Sequence, residues 1–355
     1  MIQHWLARFL LSPFSLLYGI GISLRNAFYD SKFLKSTKFN LPVIGVGNLS
    51  IGGAGKTPHV EYLISLLQPY IDVAVLSRGY KRKSKGFRFV DIYDKVFTSG
   101  DEPIQYKRKF RDVVVAVAES RVTAIPEIVK QYPQIDCILL DDSFQHRSVS
   151  PGLNILLTEF DRPYTEDYLL PMGRLREWRS DAERADCIIV TKCPNDLTDW
   201  DKEEMNTRLN ALPQQEVFFS KYAYFNPYLL VDGRQRLQLD TNQSIILLSA
   251  IASSDYLEEY LSDKVGEVSS YKFEDHHYFT ERDLQTISEA YKNLDSQNKF
   301  ILTTEKDAVR LFEHKEFLVK HQLPVLILPI VVQFDAADRE RFNQYVKSYL
   351  LDVKV

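Results

Sequence analysis

One stretch limits the folds open to this chain more than any other: Ser50-Ile51-Gly52-Gly53-Ala54-Gly55-Lys56-Thr57. An apolar run, Leu41 to Val46, precedes it, and Val60, Leu63, Ile64 and Leu67 follow at i, i+3, i+4, i+7. Strand, glycine-rich turn and amphipathic helix, in that order, are the setting of a phosphate-binding loop. Glycines let successive backbone N–H groups turn toward phosphate oxygens, and the helix N-terminus adds partial positive charge. Lys56 is placed to reach the outer phosphates of ATP, and the Thr57 hydroxyl to ligate Mg2+. Pro58 falls in the first helical turn, where a missing N–H leaves nothing unpaired. The usual pattern opens with Gly; here Ser50 stands in that place.

Around this loop the chain alternates strand-like and helix-like segments. Leu41–Val46, Asp72–Leu76, Val113–Ala118, Ile135–Leu140, Leu153–Thr158 and Cys187–Thr191 are continuous apolar runs, as strands buried on both faces should be. Helical patterns such as Arg121–Gln131 fall between them, which implies a mostly parallel sheet covered by helices. Ligands of such sheets bind beyond the C-terminal ends of the strands.

Near Gln215 the pattern changes. Val217–Tyr224 and Tyr228–Val231, split by Asn226-Pro227, read as an antiparallel pair or an extended connector. A second α/β body follows, with strands expected at Ile245–Leu248, Phe300–Thr303 and Val325–Ile330. Helices are expected near Asp255–Leu261 and Ala337–Leu351. The chain is 355 residues long, enough for two lobes. Its net charge of -4 argues against a general nucleic-acid binder. Cys137, Cys187 and Cys193 have neither the number nor the spacing of a disulfide framework, which fits a reducing compartment.

The first forty residues read differently. Phe9 to Leu24 are sixteen uncharged, mostly large apolar residues, interrupted by Pro13, Gly19 and Gly21. That run is short for a membrane span. Trp5, Arg8, Arg25, Lys32, Lys35 and Lys38 flank it, with Tyr18 and Tyr29 nearby, as in a helix lying among lipid headgroups. A hydrophobic helix packed on the protein's own core is the other reading.

Several side chains carry candidate chemistry. Asp141 and Asp142 end the strand Cys137-Ile138-Leu139-Leu140, where a P-loop enzyme holds its magnesium, directly or through water. The basic run from Arg78 to Lys85 leaves the same end of the sheet and could meet an anionic substrate or lipid headgroups. Arg121 follows a neighbouring strand and is a candidate phosphate contact. Asp101 and Glu102, after Ser99-Gly100, suit either a helix start or a site acid. His276 and His277 lie on an expected loop of the second lobe, where imidazole paired with carboxylate can serve as a base.

These motifs resemble those of the tetraacyldisaccharide 4′-kinase (lipid A 4′-kinase) family. The resemblance rests on Gly45-Val46-Gly47-Asn48-Leu49-Ser50 with Thr57-Pro58, Leu76-Ser77-Arg78-Gly79-Tyr80, Gly100-Asp101-Glu102-Pro103 and Asp141-Asp142-Ser143-Phe144-Gln145-His146. It continues in Leu170-Pro171-Met172-Gly173-Arg174-Leu175-Arg176-Glu177, the Phe273–Phe279 stretch and Thr304-Glu305-Lys306-Asp307-Ala308-Val309. Ser50 agrees with that family, which has Thr or Ser there; Ser143-Phe144 departs from its usual Gly-Leu.

The resemblance implies ATP- and magnesium-dependent phosphorylation of the 4′-hydroxyl of a tetraacylated glucosamine disaccharide 1-phosphate. The enzyme would be peripheral or monotopic on the cytoplasmic face of the inner membrane. It implies a P-loop lobe and a smaller C-terminal α/β lobe joined by a two-stranded linker. It also makes Asp101 the base, assisted by His276, with His277 as the alternative. The expected division is an N-terminal membrane segment at 1–38, a nucleotide lobe at 39–214, a linker at 215–240 and a C-terminal lobe at 241–355. Two rival readings are a P-loop kinase or ATPase acting on a soluble substrate, and a non-catalytic nucleotide-binding switch.

Overall fold

The computed structural model describes residues 2–233, 235–251 and 254–353, with side chains from Phe9 onward. Its strands are β1 Val43–Asn48, β2 Val73–Ser77, β3 Arg88–Phe89, β4 Val114–Val117, β5 Cys137–Asp141, β6 Leu153–Glu159 and β7 Cys187–Thr191. They continue with β8 Glu216–Tyr224, β9 Tyr228–Leu229, β10 Ser244–Ser249, β11 Glu267–Lys272, β12 Lys299–Thr304, β13 Val325–Leu328 and β14 Ile330–Phe334. Nine strands form one sheet in the order β14-β8-β7-β6-β1-β5-β2-β4-β3, and five form a second in the order β11-β10-β12-β13-β9.

All six apolar runs expected in the first lobe are strands of the large sheet, and they pair in parallel. Only the edge strands β3 and β14 run antiparallel. β1 lies at the centre, and every one of its residues is buried. Val60, Leu63, Ile64 and Leu67, on the helix Lys56–Leu67, pack beneath the sheet with exposures of 2% or less. Burial of each such side chain contributes roughly 1.5–3 kcal/mol before entropy is counted. The helix therefore cannot turn about its axis, and its N-terminus stays aimed across the end of β1. There β1 has β5 on one side and β6 on the other, a switch point where a crevice opens.

Of the two readings of 217–231, an antiparallel pair or an extended connector, the fold agrees with the connector. β8 pairs in parallel with β7, and β9 pairs with β13 in the small sheet, so the two expected linker strands do not pair with each other. On its other side β8 pairs with β14, which runs antiparallel to it along the large sheet's edge. The run Val325–Ile330, read as one strand, is two, because Pro329 supplies no N–H and the chain changes sheet there. Residues 330–353 therefore return to the large sheet, where Phe342, Val346 and Leu350 of the helix Ala336–Val353 join its core. This corrects the assignment of all of 241–355 to the C-terminal lobe.

The N-terminal helix Ile2–Asp30 turns Ser15, Arg25 and Asn26 toward the body of the protein. Ser15 Oγ donates to the Leu169 carbonyl at 3.0 Å, and Asn26 donates to Asp181 at 2.8 Å. Arg25 pairs at 2.6 Å with Glu177, which is fully buried. Gly19 lets Trp178 lie against the helix, since a Cβ there would meet its ring at 2.3 Å. Phe9, Leu10, Phe14, Leu16, Leu17, Ile20 and Leu24 all face outward, Phe9 being 75% exposed. The core-helix alternative is thus not what the fold shows. The side chains of Trp5 and Arg8 lie outside the described residues. No helix among the described residues is long and apolar enough to cross a membrane.

Candidate active site

The phosphate loop is held from both sides. Ile51 N–H donates to the Arg174 carbonyl and Arg176 N–H to the Leu49 carbonyl, each at 2.7 Å, so residues 174–176 run alongside Ser50. Gly55 caps the helix at φ 85°, and a Cβ there would meet the Tyr222 hydroxyl at 2.3 Å. Only Gly fits a left-handed turn with that neighbour. Ser50, Gly52, Gly53 and Ala54 complete the loop, with the Ala54 carbonyl accepting from the Thr191 hydroxyl at 3.0 Å.

Lys56 Nζ stands 3.2 Å from Asn48 Oδ1 and 3.5 Å from Asp142 Oδ1. Arg176 grips Asp142 through both carboxylate oxygens at 3.0 and 3.2 Å and donates to Asn48 Oδ1 at 2.6 Å. Burial alone would raise the Asp142 carboxyl, but Lys56 and Arg176 hold it well below the usual range. Asp141, fully buried at the end of β5, behaves in the opposite way. Burial, with Glu102 and Asp142 nearby, pushes its carboxyl up to about 7, against the pull of Lys56. Its Oδ2 accepts from Ser77 at 3.0 Å, while Oδ1 has no protein partner among the described residues. An unpartnered buried carboxylate oxygen at the end of β5, next in sequence to Asp142, is a fitting ligand for magnesium.

A second cluster joins the two lobes. Asp101 opens the helix Asp101–Lys109 and is 2% exposed. Gly100 before it has φ 90°, and a Cβ there would meet the Gly79 backbone at 3.1 Å, so two glycine turns pack back to back. That contact brings the turn after β2 against Asp101. From the small lobe, His276 Nδ1 reaches Asp101 Oδ2 at 2.8 Å, although 175 positions separate them. The helix Glu305–Leu311 adds Lys306, 3.0 Å from His276 Nε2, and Arg310, 3.8 Å from Asp101 Oδ2. Burial would raise the Asp101 carboxyl; His276, Lys306 and Arg310 outweigh it and hold the group well below the usual range.

The two adjacent histidines part company. His277 Nε2 faces Asp283 at 2.9 Å, within the cap of the helix Glu281–Asn293, and its ring stacks on Phe273. His276, at φ 61°, is the one beside Asp101. Arg121 is 1% exposed and donates to the Asp141 carbonyl at 3.3 Å, so it lies beneath Asp141 rather than in open solvent. Burial pushes its guanidinium down to about 10. Arg78 is exposed and near enough to Arg121 and His146 to act on both electrostatically. Arg176, Asn48 and Lys306 received no role from sequence reasoning. All three lie inside motifs that carry the family resemblance, but spacing alone could not connect them to Asp142 or His276.

The family model described as Tetraacyldisaccharide-1-P 4'-kinase matches residues 7–350. The chain belongs to that family. It is 41% identical over 351 residues to the tetraacyldisaccharide 4'-kinase of Bacteroides thetaiotaomicron, covering 96% of this chain and 92% of the relative. A relative of the same name from Flavobacterium johnsoniae is 42% identical over 320 residues, covering 90% of this chain and 92% of the relative. The fold is similar to a crystal structure of LpxK from Aquifex aeolicus in complex with ATP. The TM-score is 0.74 at 29% identity, with 97% of this chain and 99% of that one covered. Membership makes the chain a kinase, an ATP-dependent phosphotransferase with an alcohol acceptor.

Proposed function

We propose that the crevice between the sheets transfers the γ-phosphoryl group of ATP to the 4′-hydroxyl of a tetraacylated glucosamine disaccharide 1-phosphate, with Asp101 as base. The acceptor oxygen attacks the γ-phosphorus, its proton passes to Asp101, and the bond to the bridging oxygen breaks to leave ADP. Lys56 and the loop N–H groups balance charge spread over the transferred oxygens. Thr57, Asp141 and Asp142 would hold magnesium, which supplies further neutralisation of that charge when bound. His276 orients the Asp101 carboxylate. The observation that carries this reading is the 2.8 Å contact between Asp101 and His276, made across the lobes.

Asp101 is too enclosed to meet an acceptor in this arrangement. The lobes therefore open during the cycle, about the crossings at Asn226-Pro227 and Pro329. The outward apolar face of the N-terminal helix, with Lys32, Lys35 and Lys38 exposed beside it, seats the enzyme on the cytoplasmic face of the inner membrane. A substrate whose acyl chains stay in lipid then reaches the crevice edge-on, and Arg78 meets its anionic group.

The test is transfer of labelled γ-phosphate to the disaccharide 1-phosphate lipid in detergent micelles. Asp101→Ala is expected to lower turnover by about 10²–10⁴-fold with ATP binding retained. His276→Ala should lower it less, and the double variant should be little worse than Asp101→Ala alone. Multiplicative losses would remove His276 from the base, and full activity of Asp101→Ala would remove Asp101.

A further inference from the structure

We propose that Lys306 is a positioning residue for this reaction: its ammonium fixes His276 as the neutral tautomer with hydrogen on Nδ1, which keeps the imidazole donating to Asp101. The proposal rests on the reading of Asp101 as base.

An ammonium has three donors and no acceptor. At 3.0 Å from His276 Nε2, Lys306 Nζ can only donate, so Nε2 must offer its lone pair. The ring hydrogen then sits on Nδ1, 2.8 Å from Asp101 Oδ2, a carboxylate oxygen that can only accept. The other carboxylate oxygen, Oδ1, accepts from the Glu102 backbone N–H at 3.0 Å. The chain of donors thus runs one way, from lysine to imidazole to carboxylate.

The surroundings show what happens without the lysine. Asp275 Oδ2 lies 3.8 Å from His276 Nε2. With no cation at Nε2, that nitrogen can instead carry the ring hydrogen and turn it toward Asp275. Nδ1 would then face Asp101 with a lone pair, and the bond that orients the carboxylate would be lost. The remaining charged or polar neighbours do not replace Lys306. Glu102 is 3.4 Å from Lys306 itself, and Lys81 is engaged with the Asp275 carbonyl at 3.2 Å. Tyr80 presents its ring at 5.0 Å, and Arg310 is bound to Asp307 and the Ala250 carbonyl. Burial works against the lysine's charge, but Glu102, Asp101 and Asp275 push its pKa above the ordinary value, so it stays protonated and fit for this task.

The experiment is ¹⁵N NMR of the full chain labelled at its seven histidines, with His276 assigned by its loss in His276→Gln. Wild type should show hydrogen on Nδ1 and a bare Nε2 at neutral pH. Lys306→Met should show the ring hydrogen moved to Nε2. Its turnover should fall by about tenfold, the effect of a lost hydrogen bond to a charged group. KM for ATP should stay near wild type. Lys306→Arg should recover the tautomer and part of the rate. A wild-type His276 carrying its hydrogen on Nε2 overturns the proposal even if Lys306→Met fails to fold. So does a folded Lys306→Met with wild-type spectrum and turnover. A fully active Asp101→Asn instead overturns the base reading, and leaves the tautomer measurement to stand by itself.

Discussion

Acid should loosen the phosphate loop, and His59 sets the size of the effect. His59 lies on the helix Lys56–Leu67, is 2% exposed, and ties the loop to β8. Its Nδ1 faces the Gly55 carbonyl at 2.7 Å, so the neutral ring donates there and accepts at Nε2 from the Ser220 hydroxyl, 3.0 Å away. Burial pushes the imidazole down to about 4, against a smaller upward pull from the Gly55 hydrogen bond. In the unfolded chain it titrates near the ordinary value of about 6.5. Below that pH the unfolded state takes up a proton that the native state refuses. Stability tied to the neutral ring is therefore complete above pH 6.5, and is lost as pH falls through about 4. At about 1.4 kcal/mol for each tenfold in proton affinity, the full loss comes to about 3 kcal/mol. That is a large share of the ~5–15 kcal/mol that holds an ordinary domain together.

Urea unfolding of wild type and His59→Gln at intervals from pH 8 to pH 4 measures it. The glutamine cannot titrate, while the acid losses from Asp101, Asp142 and His146 are common to both proteins and cancel in the comparison. Wild type should lose about 3 kcal/mol more than the variant, with the curves parting below pH 7. Parallel curves would refute the assignment of a buried, neutral His59.

Other perturbations should be equally legible. Lys56→Ala should cost on the order of 10²-fold or more in turnover, because a fixed charge at the transferred phosphate disappears; near-normal transfer would exclude the loop from catalysis. Arg176→Met frees both Asp142 and Asn48, and should raise KM for ATP by about tenfold, the effect of losing a charge-assisted hydrogen bond; an unchanged KM would mean that Lys56 alone orders Asp142. Leu17→Glu combined with Leu24→Glu changes only the outward face of the N-terminal helix. It should abolish cosedimentation with anionic lipid vesicles while ATP binding persists, and unchanged sedimentation would refute membrane seating through that face.

What the sequence determined by itself is local and repetitive. Six apolar runs bounded by turns had to be strands buried on both faces, because nothing else hides such runs from water. Glycines followed by Lys56-Thr57 at a strand–helix junction had to make a phosphate loop, since only short-range backbone geometry is involved. Asp141 and Asp142 were placed in the same way, by ending a strand. Tertiary structure decided whatever depends on which surfaces meet. The run Val325–Ile330 carries one hydrophobic signal, yet Pro329 divides it between two sheets, and only the competing partners β9 and β8 determine where each half goes. The uncharged run Phe9–Leu24 states how much apolar surface exists but not which way it faces. The pairing of Arg25 with buried Glu177 turns the polar side inward. His276 and His277 are chemically identical neighbours, and a cap at Asp283 claims one while Asp101 takes the other. Lys306 and His276 meet within the small lobe, but only docking brings them to Glu102 and Asp101. Contacts across such distances are fixed by the packing of whole bodies, for which no spacing along the chain is a measure.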